Sequence, residues 1–418
     1  MTARAGSHKK KSSKSVSVRS ISGGITAPEG FVVAAHPAGI KPGRDDVTLL
    51  VSRQLASAAA VFTVNQFPAA PILLTRRHLE QSSYRARAVL INAGCANAGT
   101  GAEGLRRAAS TVAAVAHGLA IPVSQVLVAS TGVIGDPLPA DKIIGAVPAL
   151  VAKLSERQWR PAARAICTTD TFEKTAAVEY RSGKHVIRIG GMAKGAGMIH
   201  PNMATMLGFL TTDAAMEPAL LQTALARAVD QSFHCITVDG DTSTNDMVCI
   251  LANGSSTARA VQGAGREFEH FCEALTGLCV ELAQSIARDG EGATRLLEIF
   301  VKGARSFDDA RRVGIAVALS PLVKTAIYGR DANWGRILSA VGNSGVRLHA
   351  DKVDIAVQGH RAVSRGVVIP SRLTARSPIW KPKTFRMVID LHDASEAATV
   401  WSCDLTHGYV DINASYRS

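Results

Sequence analysis

From Val47 to Leu405 the chain alternates short runs rich in Val, Leu and Ile with longer, alanine-rich stretches whose apolar residues recur at i, i+3 and i+4. Strands of this kind bury their faces only by stacking against helices or another sheet. The alternation therefore dictates an α/β (α+β) fold in layers of helix on sheet. Strands are predicted at Val47–Val51, Ala60–Val64, Ala88–Asn92, Val126–Ala129, His185–Ile189, Leu207–Thr211, Met247–Asn253 and Leu297–Val301. Helices are predicted at Glu103–Leu119, Ala140–Ser155, Glu217–Gln231, Phe268–Ala287 and Asp308–Ser320. The last third is strand-rich, with Val353–Val357, Phe385–Leu391 and Ala398–Leu405, and the basic, proline-containing stretch 352–383 gives no clear conformation. No run approaches the ~20 consecutive apolar residues of a membrane span, so no membrane is expected. No fixed repeat and no long linker divides the chain.

A hydrophobic content of 47% in 418 residues is too high for a disordered chain and enough for a large core. The formal charge of +13 suggests nucleic acid, but its location argues against that. Arg4, Lys9, Lys10, Lys11, Lys14 and Arg19 stand without any acid in residues 1–20, and residues 1–21 are expected to be a disordered basic tail. The tail lacks the apolar segment of a secretory signal. A solvated tail and a serine-rich transit peptide share its composition. With 5 Tyr and 4 Trp, no aromatic platform interleaves with the basic residues, so no nucleic-acid partner is expected. The seven cysteines form no C-x-x-C pair and the 12 histidines no H-x-x-x-H pattern, so no metal site and no disulfide framework are expected. That usage fits a reducing compartment, and the cytoplasm is the expected location. Cys272 and Cys279, seven apart on a predicted helix, should share a core face.

Three loops carry more glycine and small polar residues than packing requires: Asn92–Gly101, the turn Ser130–Gly135, and Gly190–Leu207. Glycine after a strand lets backbone N–H groups approach a ligand or an oxyanion, though any one such loop read alone is an ordinary strand-end turn. None is a nucleotide loop. Lys194 is followed by Gly195 rather than Ser or Thr, and no G-x-G-x-x-G surrounds Gly195–Gly197. Two further polar clusters are Cys167–Thr171 and Asp239–Asp246. The latter lacks the sixth-position Gly and twelfth-position Glu of a calcium loop and reads better as a turn bonded to itself. Within the third loop, Thr205 lies between a Pro-Asn turn and a strand. A Thr hydroxyl is a poor nucleophile without a base, and cutting the chain before it would supply its own α-amine. By residue type alone an internal Thr is structural in nearly every protein.

Taken in order, Asn92–Gly101, Ser130–Gly135, Thr168–Thr171, Gly191–Leu207, Asp239–Asp246 and Asp289–Thr294 resemble the ornithine acetyltransferase (glutamate N-acetyltransferase) family of arginine biosynthesis. Ser320–Ala326, Asp331–Arg336, Asp404–His407 and Asn413–Ser418 extend the match, which spans residues 22–418. The resemblance implies a self-cleaving acyltransferase, cut between Ala204 and Thr205 into an α chain (22–204 after the tail) and a β chain (205–418). It implies Thr205 as nucleophile, Thr131 and Gly132 as oxyanion hole, and Thr168, Lys194, Thr205, Glu291, Asn413 and Ser418 as substrate-binding residues. Lys194 would suit a substrate carboxylate and Glu291 a substrate ammonium. The implied reaction moves acetyl from N-acetylornithine to glutamate through an acetyl-Thr205 ester, with no cofactor. A close variant also takes acetyl from acetyl-CoA, and an α2β2 heterotetramer is the implied assembly.

Two other classes compete. A hydrolase built on the same nucleophile would pass the acyl group to water, and a basic binding protein would lean on the net charge. The charge divides unevenly at the implied cut: residues 1–204 hold 25 Lys and Arg against 11 Asp and Glu, residues 205–418 hold 22 against 23. The excess belongs to the first segment, where it would help draw anionic carboxylates.

Overall fold

The structure, a computed structural model, describes residues 16–200 and 206–415. Nine strands form the first sheet: β1 (Val18–Ser20), β2 (Phe31–His36), β3 (Val47–Phe62), β4 (Arg85–Cys95), β5 (Val126–Val133), β6 (Lys174–Ser182), β7 (His185–Lys194), β8 (Leu207–Thr212) and β9 (Met247–Ala252). Their order is β1-β6-β7-β8-β9-β3-β4-β5, with β2 paired beside β9 on the long strand β3. The parallel pairs are β4–β5 and β8–β9.

The sheet doubles over at β3. One apolar cluster gathers Phe31, Leu50 and Ile91 from the β2–β5 half with Met192, Phe209 and Cys249 from the β7–β9 half. The short helix α4 (Trp159–Ala165) touches β2 and β3 as well as β6 and β7, which only a sheet folded onto itself allows. The outer face of the β2–β5 half is covered by α2 (Gly101–Leu119) and α3 (Ala140–Lys153), through Val112, Val115, Ile143 and Val147. The other outer face is covered by α5 (Pro218–Asp230) and α6 (Arg266–Arg288). Along α6 the buried positions Phe268, Phe271, Cys272, Leu275, Leu278, Cys279, Leu282 and Ile286 recur at the spacing of one helix face. Cys272 and Cys279 are both in that core, as the sequence predicts. Helix α1 (Ala70–Gln81), with Pro71 in its first turn, packs against β5.

Six further strands form a second sheet in the order β13-β12-β11-β14-β10-β15. They are β10 (Leu296–Ala304), β11 (Asp354–Val357), β12 (His360–Ser364), β13 (Val367–Val368), β14 (Thr384–Asp390) and β15 (Glu396–Cys403). Helix α7 (Phe307–Leu319) lies on β10 and β15, its Ser306 cap accepting from Asp309 N. Helices α8 (Pro321–Gly329) and α9 (Trp334–Gly342) follow, and Trp334, Trp380 and Phe385 stack in succession in this core. The chain ends in α10 (His407–Ala414).

The predicted elements occur, with four corrections. Val47–Val51 and Ala60–Val64 are one strand: the exposed Arg53-Gln54-Leu55 between them sits at a bulge rather than a turn. The Ser130–Gly132 turn is the end of β5, because its backbone pairs with Asn92–Gly94. The glycines opening the third loop continue β7 as far as Lys194. Order reaches back into the expected disordered tail: Val18–Ser20 pair with Val178–Tyr180, and Arg19 forms an ion pair with Glu179, so the sheet edge supplies the partners that composition could not reveal. Stretch 352–383 contains β11–β13 and a short helical turn at Pro378–Trp380. The implied cut at 204/205 does not separate the sheets, since β8 and β9 lie inside the first one.

Candidate active site

The parallel strands β4 and β5 end side by side, and β7 ends nearby at Lys194. Around these ends lies a cavity of about 260 Å³ lined by Thr131, Gly132, Thr168, Lys194, Gly197, Ser243, Asn245, Glu291 and Asn413, among others. Six sequence-predicted positions from five separate segments therefore meet on one hollow. Ala204, Thr205 and Ser418 lie outside the described residues. Met206, covalently next to Thr205, is buried at the start of β8.

Gly132 is required by geometry. Its φ is +133°, and a Cβ there would fall 2.3 Å from the Gly94 carbonyl carbon on the neighbouring strand. Thr131 beside it is 3% exposed. Lys194 is also buried, and its Nζ donates to Thr168 Oγ1 at 2.7 Å and Thr131 Oγ1 at 3.3 Å. Each threonine hydroxyl accepts from the ammonium, so its own hydrogen is free for an acceptor in the cavity. Thr168 is held from behind, because Lys41 Nζ donates to Cys167 O at 2.6 Å and Arg44 to Thr168 O at 3.1 Å. Burial, with Arg44 adjacent, lowers the Lys41 amine to about 8.

Also lining the cavity, Glu291 is 8% exposed and its Oε2 accepts from Asn413 Nδ2 at 2.9 Å. Its backbone N donates to Ala196 O at 2.9 Å. A Cβ on Gly197 would fall 2.4 Å from the Glu291 carboxyl carbon, so glycine there is what lets the loop pass over this side chain. The cavity lining thus carries an ammonium, two hydroxyls and a carboxylate.

The Asp239–Asp246 cluster, to which the sequence assigned no role, completes the site. Asn245 Nδ2 donates to Ala96 O at 2.6 Å and to Ser130 O at 2.9 Å, joining the segment before β9 to the ends of β4 and β5. Asp239 accepts from Asp241 N, as expected of a self-bonded turn, but also from Met198 N and Ile199 N. Asp246 accepts from Met206 N at 3.0 Å through Oδ1, while its buried Oδ2 has no partner among the described residues. Desolvation pushes this carboxyl up to about 8.

Behind Lys194 runs a row of buried charges. Asp170 Oδ1 accepts from Lys174 Nζ and from Gly195 N, each at 2.7 Å, and Oδ2 accepts from Thr168 N at 2.9 Å. Lys174 also donates to Asp289 Oδ2 at 2.6 Å, and Asp289 accepts from the amide and hydroxyl of Thr171. Burial opposes ionisation of Asp170, but Lys194 and Lys174 outweigh it and hold the carboxyl well below the ordinary aspartate range. Burial likewise opposes the Lys174 charge, which Asp170 and Asp289 restore and raise above the usual value. The sequence signal for this row was the Cys167–Thr171 cluster, but Lys174 and Asp289 look like surface charges until the fold joins them. No group of three His, Cys, Asp or Glu side chains gathers as a metal site among the described residues. No described helix is long and apolar enough to cross a membrane.

Comparison with known proteins follows the same lines. The model of the ArgJ family matches residues 32–418. An arginine biosynthesis bifunctional protein ArgJ from Symbiobacterium thermophilum is 47% identical over 401 residues, covering 95% of this chain and 99% of that protein. Its counterpart from Chlorobaculum tepidum is 46% identical over 391 residues, covering 94% and 96%. A solved chain of ornithine acetyltransferase from Mycobacterium tuberculosis, complexed with ornithine, is 39% identical, with a TM-score of 0.41 over 44% of this chain and 98% of that one.

Proposed function

Because the chain belongs to the ArgJ family, we propose that its cavity carries out the ornithine acetyltransferase step of arginine biosynthesis, moving acetyl from N-acetylornithine to glutamate. The observation that carries the reading is the cavity's pairing of a buried ammonium, Lys194, with a buried carboxylate, Glu291. An amino acid bears a carboxylate and an ammonium, and burying either without its opposite is costly. A volume of about 260 Å³ suits one amino-acid-sized ligand at a time, as a reaction with an acyl-enzyme between two substrates requires.

In this reading the precursor cuts itself between Ala204 and Thr205, and Thr205 Oγ attacks the acetyl carbonyl while the freed α-amine takes its proton. Negative charge grows on the acetyl oxygen. The Gly132 amide and the Thr131 hydroxyl receive it, and the Lys194 ammonium polarises that hydroxyl from behind. Lys194 and Thr168 hold the substrate carboxylate, with Ser418 at the chain end assigned to the same task. Glu291, oriented by Asn413, holds the ammonium. Ornithine leaves with the proton, and the glutamate amine then takes the acetyl group from the Thr205 ester. No cofactor enters these steps. The two segments stay together, as an α2β2 assembly, in the cytoplasm.

The test is direct. Wild-type protein should give two fragments by intact mass, the second beginning at Thr205, whereas Thr205→Ala should remain a single 43.9 kDa chain without transferase activity. A single uncut chain in an active preparation overturns the mechanism. Free acetate released equally fast with and without glutamate makes the protein a hydrolase instead. Because both relatives are named bifunctional, the assay includes acetyl-CoA as sole donor: N-acetylglutamate formed from it adds a second acetyl source, and none formed removes it.

A further inference from the structure

The charges behind the cavity are arranged so that, among the described residues, Lys194 is left without a carboxylate in hydrogen-bond reach. An ammonium has three donors. Among the described residues Lys194 spends two on the hydroxyls of Thr168 and Thr131, and the closest carboxylate oxygen, Asp170 Oδ2, stands 3.9 Å away, beyond hydrogen-bond reach. Asp170 is drawn the other way: three of its contacts, from Lys174, Gly195 and Thr168, are within 2.9 Å. Lys174 is itself gripped by Asp289. Taken in order from the cavity, Lys194, Asp170, Lys174 and Asp289 alternate in sign and sum to zero, and all four side chains are at most 3% exposed.

We propose that Lys174 and Asp170 are positioning residues that set the cavity's affinity for a substrate carboxylate: Lys174 holds Asp170 off Lys194, leaving the third donor of Lys194 for the ligand. The proposal rests on the reading of Lys194 as the carboxylate-binding group, and it makes a prediction of sign that general structural damage does not share. Removing Lys174 gives the row one excess negative charge, and Asp170, released from its partner, closes onto Lys194 and competes with the substrate. Removing the Asp170 charge gives one excess positive charge and strips away the carboxylate that repels the ligand's own. Removing both restores neutrality.

Steady-state kinetics of the cleaved enzyme with glutamate and N-acetylornithine tests this. Lys174→Met should raise KM for both substrates about tenfold, a 1.4 kcal/mol change in binding, with a smaller effect on kcat. Asp170→Asn should lower KM severalfold, and Asp170→Asn/Lys174→Met should return it toward the wild-type value. If both single variants shift KM in the same direction, or neither shifts it, the proposal falls. Intact mass and Tm check that each variant is cut and folded. If a single variant is not, the charge-balanced double variant still decides: KM near wild type supports the row, and KM displaced by tenfold overturns it. Lys194→Met separates the two levels, because an unchanged KM in that variant removes the carboxylate role of Lys194 itself, whereas a raised KM together with same-sign effects at 170 and 174 removes only the inference about the row.

Discussion

The two sheets treat charge in opposite ways. At the end of the doubled-over sheet, Lys174 and Lys194 are sealed from solvent among Asp170 and Asp289, with Asp246 buried close by. On and beside the six-stranded sheet, Lys302, Arg305 and Arg386 meet Asp390, Asp393 and Glu298 within 3.0 Å, but their own side chains stay about half exposed or more. The core of that second sheet is mostly apolar, with the buried Lys324 of α8 donating to Ser402 Oγ on β15 at its edge. Water screens the second set, so its pairs are worth little, whereas the first set has given up its hydration and depends on each partner. The fold therefore keeps a fixed, low-dielectric row of paired charges at the cavity, and leaves the carboxylate pairs of the other sheet in water.

Four experiments would break or sharpen this contrast, in order of expected effect. Gly132→Ala sets a methyl against the Gly94 carbonyl at the cavity wall, and kcat should fall ~100- to 1,000-fold, the usual loss for a displaced oxyanion donor. A rate within threefold of wild type would mean that this wall does not touch the reacting atoms. Asp289→Ala leaves Lys174 and Thr171 short of an acceptor, and urea unfolding should show a loss of about 3 kcal/mol. Asp246→Asn should act through pH. The folded carboxyl titrates at about 8 and the unfolded one near 4, so Asp246 in the folded state resists the ionisation that the unfolded chain undergoes. Whatever stability the protonated form provides is complete below pH 4 and is lost as pH rises toward 8. Asn has no charge to lose and still offers Met206 an acceptor, so its Tm relative to wild type should be higher at pH 8 than at pH 5. The same difference at both values would remove the assignment. Last, Arg386→Ala opposite Glu298 should cost under about 1 kcal/mol, less at high salt. A loss as large as that of Asp289→Ala would erase the distinction between the sheets.

Much of this was legible from residue order. Apolar periodicity marked most strands and the helices α2, α3, α5, α6 and α7, because there the local pattern and the buried face coincide. It failed where the tertiary partner decides. Val18–Ser20 is a strand only because β6 offers an edge, and β6 was hidden by a run that opens on a charged residue, Lys174, whose partners lie four and 115 residues away. The stretch Arg53–Leu55 broke the apolar run with Arg53 and Gln54, yet a bulge carries one strand through it. At the site, resemblance found Thr131, Gly132, Thr168, Lys194, Glu291 and Asn413, which the fold brings to one cavity. Of the supports, Asp170, Asn245 and Asp246 stood in clusters the sequence marked without a role, and Lys174 carried no mark at all, since what makes them matter is a distance across the fold.

The order of strands in the first sheet has a consequence for what a broken backbone would mean. Seven of its strands precede residue 204, and the two that follow, β8 and β9, are not appended at an edge but inserted between β7 and β3. A cut just before β8 would remove one covalent link while leaving every rung on both flanks of the inserted pair. The fragments would be interleaved rather than merely docked, and parting them would require tearing the sheet along two lines at once. Their exchange with free fragments should then be no faster than unfolding, so that cleavage would be, for the lifetime of the fold, a change of connectivity without a change of assembly.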